Sequence, residues 1–149
     1  MSVGSICTRH VFSVDASADA AQAAKAMRDY HVGFLVVTSK KDHVDVPIGV
    51  LTDRDLVLEV LAQSVDPHAV MAKDIMSPKP LAVSEQAPIH DTLLQMRAAG
   101  VRRVPVQDAH GKLVGVLSLD DVVGYLNELV QDLTGAISRE QSVETRLRA

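Results

Sequence analysis

The chain has 149 residues, 47% apolar, 23% charged and 3% aromatic, with a formal net charge of −4. This is enough apolar content for a core of ordinary domain size, and it excludes a disordered chain. The negative balance, with no run of Lys or Arg, excludes the electrostatic footprint of a nucleic-acid binder, and Phe12, Phe34, Tyr30 and Tyr125 are few rings for stacking bases.

In chain order, Ser17 is the expected N-cap of a helix over 18–30, where Ala20, Ala23, Ala24, Met27 and Tyr30 recur at helical spacing. Phe34-Leu35-Val36-Val37 reads as a buried strand, Lys40-Lys41-Asp42-His43 as a polar loop, and 47–51 as a second strand. A second helix is predicted over 53–62, with Leu56, Val57, Val60 and Leu61 on one side. Ser77-Pro78-Lys79-Pro80 is predicted to be an extended linker, because each proline pushes its predecessor out of the helical region. Ile89, Leu93 and Met96 line the next helix, which Gly100 can end in a left-handed cap. Strands follow over 104–106 and 113–117, around a turn at Asp108-Ala109-His110-Gly111. Val122, Val123, Leu126, Leu129, Val130 and Leu133 line the closing helix, and 138–149 reads as a frayed helix or a disordered tail.

The two halves repeat each other. Val14, Met27-Arg28, Val32 and Val37 recur 69 residues later as Val83, Met96-Arg97, Val101 and Val106. Past a loop at 39–47, three residues longer than its counterpart, the offset is 66: Gly49-Val50-Leu51 lies over Gly115-Val116-Leu117, and Asp55 over Asp121. Two units of this size are expected to pack around one shared core. The division is 1–68, 69–134 and a tail at 135–149.

The strand-to-helix junctions, Gly49-Val50-Leu51-Thr52-Asp53-Arg54-Asp55 and Gly115-Val116-Leu117-Ser118-Leu119-Asp120-Asp121, carry the chemistry. One reading is structural: a hydroxyl followed three residues later by an acid resembles a capping box, with Asp in place of Glu or Gln. The other is functional. A helix N-terminus favours phosphate, the glycine lets a ligand approach the backbone, and a carboxylate one turn in can accept hydrogen bonds from a ribose diol.

These junctions, together with Asp74-Ile75-Met76-Ser77-Pro78 and Val101-Arg102-Arg103-Val104-Pro105-Val106, resemble the tandem CBS-domain (Bateman module) proteins over roughly residues 5–133. The resemblance implies an α/β fold: two βαββα-type repeats related by a pseudo-twofold axis around two clefts. It also implies a regulatory or sensory module that binds an adenosyl ligand (AMP, ADP or ATP foremost, with S-adenosylmethionine or NAD(H) as alternatives), performs no catalysis, requires no cofactor, and pairs as a homodimer. Matched position by position, Asp55 and Asp121 correspond to the ribose-binding acids, and Thr52 and Ser118 to hydroxyls near the sugar-phosphate. Arg102 and Arg103 correspond to a basic pair that holds phosphate, and backbone around Val11 and Leu81 to the strand flanking the adenine. The first repeat departs from this pattern: Gly33-Phe34 stands where the second has Arg102-Arg103, and Arg54 is expected to compensate in part. A phosphate beside Asp121 then depends on Arg103 or on the other repeat.

The remaining candidates are weaker. The six histidines lack metal-ligand spacing, although His10 and His31 flank the first cleft in the resemblance. Cys7 reads as a small buried hydrophobe, since a lone cysteine makes neither an internal disulfide nor a structural zinc site. No nucleophile elbow, Walker loop or dinucleotide glycine motif is present. No apolar run approaches the roughly twenty residues of a membrane span, and Arg9 and His10 interrupt any signal-peptide core. A cytoplasmic protein that acts through its homodimer or a regulated protein partner is the expectation, with a ligand-free oligomerisation scaffold as the rival.

Overall fold

A computed structural model describes residues 1–78 and 82–149. Lys79 and Pro80 of the expected linker, and Leu81, lie outside the described residues. The first unit contains β1 (Ser13–Asp15), α1 (Ala20–Tyr30), β2 (Phe34–Lys41), β3 (Val44–Thr52) and α2 (Asp53–Leu56), which runs into a π-helical turn (Val57–Leu61). After α3 (Ala72–Ile75) and β4 (Ser77–Pro78), the second unit contains β5 (Val83–Ser84), α4 (Ile89–Ala99), β6 (Arg103–Gln107), β7 (Leu113–Ser118) and α5 (Leu119–Arg148).

The repeat is visible in the sheets. β1 runs parallel to β2 and β5 parallel to β6, while β2–β3 and β6–β7 are antiparallel hairpins. Both hairpins shift register at equivalent places, between Val37 and Thr38 and between Val106 and Gln107. The longer loop expected in the first unit is instead strand. β2 and β3 continue to a turn at Asp42 and His43, both at positive φ (50° and 64°). Consecutive left-handed residues of this kind match the right-handed twist of a hairpin.

Two further expectations change. Helix α1 is capped by Asp19, whose side chain accepts from Gln22 N while Gln22 Oε1 accepts from Asp19 N, forming a full capping box. Ser17 is held one turn earlier, its N–H and hydroxyl both donating to Asp15 (2.8 and 2.5 Å). The second helix keeps α geometry for one turn only; Ala62 N donates to Val57 O, five residues back, at 2.9 Å. Of the two readings of 138–149, helix or disordered tail, the helix is what forms: α5 continues through it to Arg148, 30 residues in all.

The core is not shared between the units. Val14, Ala23, Met27, Leu35, Val37 and Leu51 form one cluster and Val83, Met96, Val104, Val106, Leu117 and Val122 another. Each cluster is completed by the segment that leads into the other unit. Ala72, Ile75 and Met76 pack on the first, and Val3, Ile6 and Cys7 on the second. The backbone follows the same exchange: Ser77 pairs with Val50 on β3, and Thr8 bridges Val116 on β7. Asp19 bridges Met71, and its equivalent Pro88 bridges Ser2. These matched pairs define a pseudo-twofold axis between the units.

Candidate functional site

Each junction presents a hydroxyl and a carboxylate where a strand enters a helix. Thr52 caps α2: its Oγ1 accepts from Asp55 N at 3.2 Å, and Asp55 Oδ2 accepts from Thr52 N at 2.8 Å. Ser118 caps α5 in the same way, with Oγ accepting from Asp121 N at 3.1 Å and Asp121 Oδ2 accepting from Ser118 N at 2.7 Å. The structural reading of the motif is therefore realised in full. It leaves room for a second use, because an ionised carboxylate has about four acceptor positions and the cap engages one oxygen.

Gly49 and Gly115 have a packing role that their place in the motif did not indicate. A Cβ on Gly115 would lie 2.9 Å from Cys7 Sγ and 3.0 Å from Thr8 O; one on Gly49 would run into Met76 Sδ and lie 3.0 Å from Ser77 O. These glycines admit the exchanged leading segment.

The junctions open onto two clefts. The first, about 350 Å³, brings Val11, His31, Arg103, Ser118 and Asp121 together. The second, about 250 Å³, brings Thr52, Asp55, Arg102 and Arg103 together. Each cleft thus combines the hydroxyl and acid of one unit with residues of the other. Arg54 lines neither cleft; it is exposed, and its backbone N–H donates to Asp53 Oδ1 at 2.8 Å. Arg102 is exposed and lies 3.9 Å from Asp120, an ion pair weakened by solvent.

The first cleft contains groups that motif reading passed over. Thr8 Oγ1 donates to Asp121 Oδ1 at 3.3 Å. Its repeat equivalent, Ser77, lines the second cleft beside Asp55. The 69-residue offset relates Thr8 to Ser77, but only the fold reveals that each faces the other unit's acid. Phe12 stacks on Tyr30 with ring centres 4.6 Å apart, and His10 meets Phe12 edge-on at 4.6 Å. His31 ends α1 in left-handed geometry (φ 56°), the place Gly100 (φ 66°) takes at the end of α4. The guanidinium of Arg103 lies over the Phe34 ring, 5.8 Å from its centre. Among the described residues, no group of three or more His, Cys, Asp or Glu could hold a metal ion, and no helix is long and apolar enough to cross a membrane.

Comparison with known proteins agrees with this architecture. The CBS domain family model matches twice, at residues 3–62 and 72–128. An uncharacterized Methanopyrus kandleri protein, MK0525, is 35% identical over 123 residues; the match covers 83% of this chain and 61% of that protein's own length. Hypoxic response protein 1 of Mycobacterium tuberculosis is 35% identical over 106 residues, 71% of each chain. A crystal structure of Hypoxic Response Protein I, with two coordinated zinc ions, superposes with a TM-score of 0.72 at 30% identity, covering 83% of this chain and 97% of that one. The CBS domain protein PAE2072 from Pyrobaculum aerophilum, complexed with AMP, superposes with a TM-score of 0.73 at 28% identity, covering 88% and 99%. With two family matches that follow the two structural units, the chain belongs to the CBS-domain family and carries the domain as a tandem pair.

Proposed function

We propose that this protein is a regulatory module that binds an adenosyl ligand, an adenine nucleotide foremost, in the clefts between its two CBS repeats, and that it performs no catalysis. The single observation that carries the reading is the convergence of Ser118 and Asp121, at a helix N-terminus, with Arg103 and Val11 on one cleft, and of Thr52, Asp55, Arg102 and Arg103 on the other. In this reading Asp55 and Asp121 accept from ribose hydroxyls with the carboxylate oxygen turned away from the cap. Thr52, Ser118 and the adjoining backbone amides receive phosphate, helped by the helix dipole. Arg102 and Arg103 supply the positive charge, each charge-assisted bond contributing about 1.5–3 kcal/mol at best. The segment at Val11, just before β1, flanks the adenine in the first cleft. AMP bound to the similar PAE2072, and to CBSX2 at 27% identity, supports this choice of ligand.

Ligand in these clefts ties the two units together. At a hundredfold excess over Kd, it adds about 2.7 kcal/mol to the folded state. Two copies pair as a homodimer through exposed apolar side chains on α5 and the π-helical turn, and the signal passes through that dimer or to a partner protein. Val123, Leu126, Val130, Leu133 and Ile137 are all exposed and alternate at spacings of three and four, the pattern of a helix seam. The same stripe fits the rival reading of an oligomerising scaffold without ligand.

Calorimetric titration with AMP, ATP, S-adenosylmethionine and NADH tests the reading. Saturable heat with AMP or ATP at millimolar concentration or below is expected. Heat with S-adenosylmethionine or NADH alone reassigns the ligand, and silence with all four leaves the scaffold.

A further inference from the structure

Phe34 and Arg103 occupy equivalent positions, 69 residues apart, at the first residues of β2 and β6. They meet across the pseudo-twofold axis at 5.8 Å, and both line both clefts. A residue beside such an axis faces two sites at once. With arginine at both positions each cleft would have its own cation; here one member of the pair is phenylalanine. Among the described residues, no carboxylate lies within ion-pair distance of Arg103. Its guanidinium rests against a ring that borders both clefts.

We propose that Arg103 is a phosphate ligand shared by the two clefts, so that a nucleotide phosphate in one lowers the affinity of the other. The inference rests on the adenosyl-ligand reading above and adds coupling to it. Two effects act in the same direction. A guanidinium turned toward one phosphate is withdrawn from the other cleft, and a second phosphate bound around the same cation is repelled by the first. The second effect acts within a Debye length of about 8 Å at physiological ionic strength, so added salt weakens it. The second cleft keeps Arg102 and remains able to bind, so antagonism rather than silence results. By linkage, the penalty is the same whichever cleft fills first.

Titration of the full chain with AMP by calorimetry decides the matter. Asp55→Ala leaves the first cleft competent and Asp121→Ala the second, which provides the affinity of each alone; Asp55→Asn and Asp121→Asn replace them if a cap loss unfolds the protein. Wild type is expected to bind one AMP at the affinity of the tighter single-cleft variant. The second AMP should bind about tenfold or more weakly than in the other variant. Phe34→Arg, which gives the axis a second cation, should bring the second step back to within about twofold of its single-cleft value. Two AMP bound by wild type at the single-cleft affinities overturn the inference and leave the binding reading standing, as does AMP bound by only one of the two variants. A second step still weakened in Phe34→Arg removes Arg103 as the cause. Silence of wild type toward every adenosyl compound overturns the reading and the inference together.

Discussion

Thr8 and Asp121 are 113 residues apart in the chain and join side chain to side chain, Oγ1 donating to Oδ1 at 3.3 Å. The bond links the leading segment of the chain to the helix cap of the second unit and occupies the carboxylate oxygen that the cap leaves free. A ribose hydroxyl entering the first cleft would compete with Thr8 for that oxygen. Thr8→Val should therefore tighten AMP binding in this cleft by a fewfold, read by calorimetry, while loosening the leading segment. A weaker affinity would show that the Thr8 hydroxyl itself holds ligand.

Asp121→Ala and Asp55→Ala separate the two uses of each acid. Loss of the acid's half of the capping box costs about 0.5–1.5 kcal/mol of stability, measurable as a shift in the denaturant midpoint. Loss of the ribose contact should abolish AMP binding in that variant's own cleft and spare the other. Undiminished affinity in both, with the stability loss present, would reduce these carboxylates to caps.

Gly115→Ala places a methyl group against Cys7 Sγ and the Thr8 carbonyl, at 2.9 and 3.0 Å. Neither can withdraw without moving the exchanged segment, so a destabilisation of about 1–3 kcal/mol is expected from chemical denaturation. Gly124→Ala meets nothing within 4 Å and provides the control; within the helix α5 it should be neutral or mildly stabilising.

His31 holds a left-handed conformation that costs an ordinary L-residue about 1–2 kcal/mol. His31→Gly should raise stability by about 1 kcal/mol, read by thermal or denaturant unfolding, since the equivalent Gly100 fills the same role at no such cost. Because His31 also lines the first cleft, the same variant should bind AMP more weakly. A variant that gains stability and keeps full affinity would show that the imidazole has no part in the cleft.

Acid should weaken the start of α1. The Gln22 N–H, and then His68, hold the Asp19 carboxyl below its usual range; the Ser17 hydroxyl and N–H do the same for Asp15. The folded protein therefore resists protonation where the unfolded chain accepts it. The contribution is fully present above the unfolded carboxylate value of 3.8 and is lost as pH falls through the lower folded value. Thermal unfolding of Asp19→Asn against wild type should show a stability difference at neutral pH that narrows below about pH 4.

Leu133 is 64% exposed at the middle of the α5 stripe. If that stripe joins two copies, Leu133→Glu should produce a monomer in sedimentation with the fold intact by circular dichroism. An unchanged assembly would place the interface elsewhere.

Much of the architecture could be read without coordinates because it follows from local patterns. Gly100 ends α4 as predicted, since only a residue tolerant of positive φ closes that turn cheaply. The capping boxes at Thr52 and Ser118 form because a hydroxyl and an acid three residues apart can satisfy each other. Ser17 misled for a related reason: several polar residues precede α1, and Asp15 takes the Ser17 donors so that Asp19 becomes the cap. The hairpin at 39–47 reads as a loop because its lysines and aspartates are polar, yet its strands extend beyond the sheet's buried region, where polar residues cost nothing.

The sequence by itself determined the duplication, the α/β units and the chemistry at each strand-to-helix junction, since these depend on residues within a few positions of one another. Only the tertiary structure decided that each unit's core is completed by the other's leading segment, that each cleft draws on both units, and that Arg103 lines both clefts while Arg54 lines neither. Those relations join residues tens of positions apart, and they arise from burying apolar surface and pairing backbone across a pseudo-twofold axis. Local spacing carries no record of which partner a segment finds across such an axis.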